Sequence, residues 1–353
     1  MGLPRMEIDL SKVEQNTRAV AEICARTGIE VAAVTKATCG DPRVARAMLT
    51  GGAAMLADSR VENARRLKEA GVDAPVLLLR SPQPSTVGEV VTWADQSLNS
   101  ELDTVRALGR EAVEQGRRHG VVFMVDLGDR REGVMPDQLP QLLEEAASVE
   151  GVHIQGIGTN LACYGGVVPT RDKMERMVDL ARSLEDAIGI ELGTVSGGNS
   201  ANIPLQLEEG HPGGVNQLRI GEGILLGLET VDRTPVPGTH QDAFRVVGEL
   251  VEVQSKPSLP EGQVSQAAFG HTPDIEDRGT ITEGILALGR QDVDPDSLAP
   301  ASGHVTVLGA SSDHLILDMG GGGARVGDPV TFVPGYGSLL RAMTSPYVEK
   351  VYL

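Results

Sequence analysis

The sequence predicts an α/β protein in which an N-terminal TIM-type (β/α)8 barrel over residues 1–230 is followed by a β-strand-rich domain over 231–353. Three observations carry that expectation. Short apolar runs alternate with amphipathic stretches in about eight βα units over roughly two hundred residues, the rhythm of a barrel rather than of a doubly wound sheet. Each run ends on a polar or glycine-rich element that a barrel would gather at one face. Past Gly227 helical periodicity stops, and Thr234-Pro235-Val236-Pro237-Gly238 opens a texture of short β-rich runs.

In chain order, Glu7-Ile8-Asp9-Leu10 reads as a short strand, and Ser11-Lys12-Val13-Glu14 as a capping box opening a helix that runs to Thr27. Val31-Ala32-Ala33-Val34-Thr35-Lys36 is a buried strand closed by a turn-prone stretch. Further strands are expected at 53–56, 75–79, 92–96, 121–125, 152–157, 191–195 and 217–220, with helices between them at 101–116, 139–147 and 171–187. In the second domain, strands are expected at 244–253, 284–288, 305–307, 315–317 and 329–333, with the domain boundary between Glu229 and Thr239. Gly320-Gly321-Gly322-Gly323 lacks the strand-to-helix context of a phosphate loop and reads as a turn.

Composition narrows the function classes. Lys and Arg number 31 against 49 Asp and Glu, a net charge of −18 that repels nucleic acid and anionic membranes and suits a cationic small substrate. No apolar run is long enough for a bilayer and no signal-peptide core follows Met1, so a cytoplasmic location is expected. Cys24, Cys39 and Cys163 form neither a disulfide framework nor a zinc knuckle, and the seven His show no metal-ligand spacing, so no metal is expected.

The chemistry centres on Lys36, at the carboxyl end of its strand where parallel α/β folds collect catalytic groups. Desolvation favours the neutral amine, which can form a Schiff base with an aldehyde; a lysine snorkelling to water is the structural alternative. Val195-Ser196-Gly197-Gly198-Asn199-Ser200-Ala201-Asn202 offers backbone N–H groups and small hydroxyls as a phosphate cradle, or a plain turn with Ser200 as N-cap. In Leu218-Arg219-Ile220-Gly221-Glu222-Gly223 alternation turns Arg219 inward, with Glu222 as its potential structural partner. A nucleophilic lysine, a phosphate cradle and an inward arginine together point to pyridoxal 5′-phosphate.

The order of motifs resembles the fold-type III pyridoxal-phosphate enzymes of the alanine racemase superfamily, most closely the alanine/ornithine racemase family. The resemblance runs through Val34-Thr35-Lys36-Ala37, Val125-Asp126-Leu127-Gly128, Gly158-Thr159-Asn160-Leu161-Ala162-Cys163, Ser196-Gly197-Gly198-Asn199-Ser200 and Leu218-Arg219-Ile220-Gly221-Glu222. It continues in Ala268-Phe269-Gly270, Gly289-Arg290-Gln291-Asp292 and Ser311-Ser312-Asp313-His314. It implies that Lys36 is the Schiff-base lysine and one racemisation base, and that Asn199, Ser200, Gly221, the backbone near Glu222 and Tyr336 hold the phosphate. Arg131, with Arg130 as its rival, resembles the arginine of the cofactor phenolic oxygen and substrate carboxylate. Arg219 resembles the one facing the pyridine nitrogen. An arginine there keeps the ring nitrogen unprotonated, weakens the electron sink and favours racemisation over transamination.

Two positions depart from alanine racemases: Asn160 stands where they stack a His on the cofactor ring, and Phe269 where they place a partner-subunit Tyr as the second base. The candidates for that base are His271, His314 supported by Asp313, and Cys163. The resemblance further implies a basic amino acid such as ornithine or lysine as substrate. Its distal ammonium would meet a carboxylate among Asp274, Glu276, Asp277, Asp292 and Asp313. A head-to-tail homodimer with shared active sites is implied as well. The competing expectations are a decarboxylase of the same fold type acting on a diamino acid, a non-enzymatic carrier of the cofactor, and a metal-dependent barrel enzyme.

Overall fold

The computed structural model describes residues 2–270, 272, 274–321 and 323–353. The chain divides into two units, Leu10–Gln241 and Met1–Asp9 with Asp242–Leu353.

The first unit is a closed barrel of eight parallel strands: β2 (Glu30–Val34), β3 (Met55–Asp58), β4 (Val76–Leu78), β5 (Gln96–Asn99), β6 (His119–Val125), β7 (Val152–Thr159), β8 (Thr194–Ser196) and β9 (Gln217–Ile220), with β9 closing on β2. Strands covered on both faces need apolar side chains at nearly every position, and β2, β4 and β6 supply them. Alternate residues fill the interior: Ala32, Val34, Met55, Ala57, Leu77, Leu79, Leu98, Val122 and Met124 form one cluster. Gly156 in β7 is forced by close approach, since a Cβ there would lie 1.9 Å from the Thr194 carbonyl oxygen. Gly156→Ala is expected to cost at least about 3 kcal/mol, which urea unfolding of the purified variant measures.

The barrel departs from expectation in detail. Residues 92–96 do not make a strand: Val87–Trp93 is a helix and β5 starts at Gln96, because Glu89, Val90 and Trp93 follow helical spacing. Helix Leu10–Ala25 begins before Ser11, so Ser11 does not cap it, and Glu14 pairs with Arg18 at 2.5 Å instead.

The second unit is an antiparallel sheet in the order Leu298–Pro300, Pro329–Pro334, Phe244–Pro257, Thr280–Leu286, Leu315–Asp318 and Thr306–Ala310. The expected division at 230/231 is corrected at both ends. Strand β1 (Arg5–Ile8) belongs here, antiparallel to Phe244–Pro257 and parallel to Glu349–Tyr352. Met6 and Ile8 are buried while Arg5 and Glu7 pair outside. Residues 230–241 belong to the barrel unit, held by the Glu229 carboxylate on the N–H groups of Val231 and Thr234 and by Asn16, which accepts from the His240 N–H at 2.6 Å. The short strand expected at 7–10 is present at Arg5–Ile8, but nothing local in the sequence announces which sheet it joins, since its partners lie more than two hundred residues away. No helix among the described residues is long and apolar enough to cross a membrane.

Two buried histidines give the barrel a pH dependence. His119 is 1% exposed and bonded to Ser97 Oγ at 2.8 Å; burial, aided by His153, holds it down to about 4. His211, between Gln206 and Asn202, is held down to about 4 by burial and then by Arg171. A folded-state pKa below the unfolded value means that stability is whole above about pH 6.5 and is lost as pH falls toward 4. The expected loss is on the order of 3 kcal/mol for His119. Melting temperature measured across that window should fall, and His119→Asn should flatten the slope.

Candidate active site

Lys36 stands one step beyond Val34 in the inward parity of β2, and Lys36–Thr38 forms a single 3₁₀ turn. The turn is anchored at Thr35, whose N–H donates to Ala57 O at 2.9 Å and whose Oγ1 donates to Asp58 Oδ2 at 2.7 Å. Asp58 is fully buried and also accepts from Asn63 Nδ2 and the Arg60 N–H, both at 2.9 Å; burial raises its pKa against those bonds. The Lys36 amine makes no hydrogen bond or ion pair with another described residue. Burial first, and the Arg131 charge second, lower its pKa, against opposing effects of Cys163, Asp58 and Glu132. Asp58, the last residue of β3, is legible from sequence as a strand-end group, whereas Glu132 is not, because a carboxylate in a polar turn carries no local mark of what it faces.

Arg131 and Arg130 part ways. Arg130 is exposed, in left-handed backbone with φ 56°. Arg131 is half-buried, forks onto Glu132 through Nε and Nη2, the latter at 2.7 Å, and donates from Nη1 to Cys163 Sγ at 3.0 Å. Asn160 lies 3.2 Å from Asn199 Nδ2, and with its amide oxygen turned to Arg131 it accepts from Nη2 at 3.1 Å. Asp129 also escaped the sequence reading. Fully buried, it accepts from the N–H groups of Cys163, Tyr164 and Val167, fixing the loop after β7 against the loop after β6.

Asn199, not Ser200, caps the turn Ser200–Asn202, its Oδ1 accepting from the Ala201 N–H at 2.8 Å while Nδ2 donates to Leu161 O at 2.8 Å. Ser200 Oγ accepts from the Gly223 N–H at 3.2 Å, which leaves its own O–H as a donor. Arg219 lies inside the barrel and is 4% exposed. Its Nη1 donates to Ser196 Oγ and its Nη2 to Thr159 O at 2.6 Å. Gly158 makes room for it: a Cβ there would lie 3.3 Å from Nη1. Burial lowers Arg219 to about 10, so it is charged at neutral pH. Glu222 is not its partner. Glu222 pairs with Arg233, and burial, the largest influence, raises its pKa.

The other expected residues lie in the second unit. Tyr336 opens the helix Tyr336–Thr344. Phe269 is exposed, with the Arg290 guanidinium 5.5 Å from its ring centroid. His314 is exposed, and Asp313 accepts from Ser312 Oγ at 2.7 Å, so that carboxylate is engaged by the serine. Asp292 accepts from Ser345 Oγ at 2.6 Å, and Glu276 pairs with Arg278. His271 lies outside the described residues.

Residues 8–228 match the family described as alanine racemase, N-terminal domain. The chain belongs to the alanine racemase family. Within it, the chain is 42% identical to the lysine racemase of Thermotoga maritima, over 100% of this chain and 99% of that protein. It is 40% identical to the ornithine racemase of Acetoanaerobium sticklandii, over 99% of both. The fold is shared with an alanine racemase from Streptomyces lavendulae at TM-score 0.76 and 20% identity, covering 100% of this chain and 98% of that one. It is also shared with the D-threonine aldolase of Filomicrobium marinum at TM-score 0.75 and 17% identity, covering 97% of this chain and 89% of that one. Among the described residues, no group of three or more His, Cys, Asp and Glu could hold a metal ion.

Proposed function

We propose that this chain is a pyridoxal-phosphate-dependent racemase that interconverts the L and D forms of a basic amino acid, lysine or ornithine. The observation that carries the reading is the half-buried Lys36 amine at the barrel mouth, its pKa lowered and with no hydrogen bond or ion pair to another described residue, beside Arg131. Full-length relatives named lysine racemase and ornithine racemase supply the substrate class.

The donor set fits the cofactor. The Ser200 hydroxyl, Asn199 and the backbone at Gly221 and Glu222 are neutral donors suited to a phosphate, and Gly221 keeps that backbone close, since a Cβ there would lie 3.1 Å from Val34 Cβ. Lys36 would bind the carbonyl carbon, and Arg219 would face the ring nitrogen. Bound pyridoxal phosphate supplies a carbonyl for the substrate amine and a conjugated ring that withdraws electrons from the α-carbon.

Around it the chain's own groups divide the work. Arg131 orients the substrate carboxylate, and Glu132 and Asn160 hold its fork in place. Lys36 Nζ, favoured as the neutral amine, takes or returns the α-proton on one face. Arg219 has no ion-pair partner among the described residues; its guanidinium is bonded to the Ser196 hydroxyl and the Thr159 carbonyl, and Glu132, which acts on it electrostatically, is forked by Arg131, so a cation and not a carboxylate would face the ring nitrogen, against the arrangement a decarboxylase needs. The head-to-tail homodimer belongs to the same proposal, and light scattering at assay concentration tests it.

Incubation with L-lysine, L-ornithine, L-arginine and L-alanine in deuterated water tests the activity. α-Deuteration with appearance of the D-enantiomer is expected from lysine or ornithine. Borohydride reduction should leave a pyridoxyl mass on the Lys36 peptide. Exchange from alanine alone would overturn the substrate class, and exchange from none would overturn the racemase.

A further inference from the structure

We propose that Cys163 is the second acid/base of this site, handling the proton on the face of the substrate α-carbon opposite Lys36. The inference rests on the racemase reading above. Inversion at carbon requires a proton to leave one face and another to arrive on the other, so one group must stand within reach of each face.

Topology places Lys36 and Cys163 to serve that purpose. Lys36 follows β2 and Cys163 follows β7, three strands apart around a ring of eight where four is the maximum. A molecule held in the mouth therefore has the amine on one side and the thiol across from it. Arg131 fixes the height: its Nη1 donates to Cys163 Sγ at 3.0 Å. The carboxylate that Arg131 is proposed to orient is one bond from the α-carbon, which brings sulfur close to the reacting hydrogen. Position is maintained by Asp129, which accepts the Cys163 N–H itself at 3.2 Å.

Among the described residues, the carboxylates that act electrostatically on Lys36 are engaged elsewhere. Glu132 is forked by Arg131, Glu222 is paired with Arg233, and Asp58 lies buried under Thr35. Phe269 carries no exchangeable side-chain proton. Cys163 itself is exposed, so its proton can exchange with solvent.

The proton count closes. For one enantiomer Lys36 Nζ takes the α-hydrogen as a proton, the Cα–H bond breaks and an N–H bond forms. The S–H bond of Cys163 then breaks, and the electron pair freed at carbon makes the new Cα–H bond on the other face. This leaves an ammonium and a thiolate, reset by proton transfer through solvent. For the other enantiomer the two groups exchange roles.

The test compares wild type, Cys163→Ala, Cys163→Ser and Tyr164→Phe holoenzymes in deuterated water with each enantiomer of lysine and ornithine. Deuteration is read by mass spectrometry and configuration by chiral chromatography. Both Cys163 variants should lose racemisation by about 10²–10⁴-fold. One enantiomer should still exchange its α-hydrogen with retention and the other should become silent, a pattern that loss of structure does not produce. Tyr164→Phe should stay within about threefold of wild type. A second readout needs no cofactor: iodoacetamide should label Cys163 faster than buried Cys24, and Arg131→Ala should slow that labelling several-fold. Cys163→Ala that racemises like wild type, Tyr164→Phe that alone abolishes inversion, or labelling indifferent to Arg131 would each overturn the assignment and leave the racemase standing. Wild type that exchanges no basic amino acid overturns the racemase reading itself.

Discussion

Lys36→Ala should abolish racemisation of lysine and ornithine, by at least about 10³-fold, and stop α-hydrogen exchange from both enantiomers. Both effects follow from the same amine, which is proposed to carry the cofactor and to move a proton. Loss of fold is not expected to account for the result, because the Lys36 side chain makes no hydrogen bond or ion pair with described residues and burial already disfavours its charge. Truncating a group that the fold holds at a cost leaves the cofactor-free protein at least as stable. Lys36→Arg sharpens the test: a guanidinium keeps its proton at any working pH, so it should be as inactive as alanine although a long basic side chain is kept. Chiral chromatography and mass spectrometry of α-deuteration measure the two effects, and calorimetry of the cofactor-free variants checks the fold. Either variant retaining more than about a tenth of wild-type rate would remove Lys36 from the chemistry.

How much of this could be read beforehand follows from what is local. The barrel was legible because strands buried on both faces must be apolar for several residues, and Val31 to Val34 and Val121 to Val125 are. Strand-end chemistry was legible for the same reason, since Lys36 and Arg219 are charges at the end of, or inside, apolar runs where a charge is costly. Partners were not. Glu222 stands three residues from Arg219 in sequence, yet its carboxylate meets Arg233, because the short helix beginning at Glu222 turns it away from the barrel interior. Asp129 looks like one more polar loop residue until the loop after β7 is seen hanging from it. Arg5–Ile8 joined the wrong unit in the sequence reading because sheet membership is decided by pairing with Phe244–Pro257, not by neighbours along the chain. Apolar runs marked where most strands lie; which sheet a strand joins and which partner a charge meets are decided by residues far along the chain.

Arg219→Gln should separate catalysis from stability. In the folded protein the Arg219 guanidinium is buried with only neutral partners, the Ser196 hydroxyl and the Thr159 carbonyl. Those two bonds contribute on the order of 1.5–3 kcal/mol each, while taking an unpaired cation out of water costs several kcal/mol. Burial pulls its pKa down to about 10, the mark of that desolvation. Glutamine keeps an amide donor and drops the charge, so the cofactor-free variant is expected to melt no lower than wild type. Activity should go the other way. Arg219 is proposed to face the ring nitrogen, and a neutral amide there would offer an acceptor as well as a donor and so would not hold that nitrogen unprotonated. Racemisation should fall by about 10²-fold or more, and release of pyridoxamine phosphate, a product that the arginine is proposed to suppress, should rise relative to turnover. Calorimetry without cofactor and chromatography of the cofactor pool after long incubation with substrate give the two answers independently. A large drop in melting temperature with normal partition between products would make Arg219 a strut of the barrel interior. Unchanged stability with a shifted partition would mark it as the residue that commits the site to racemisation.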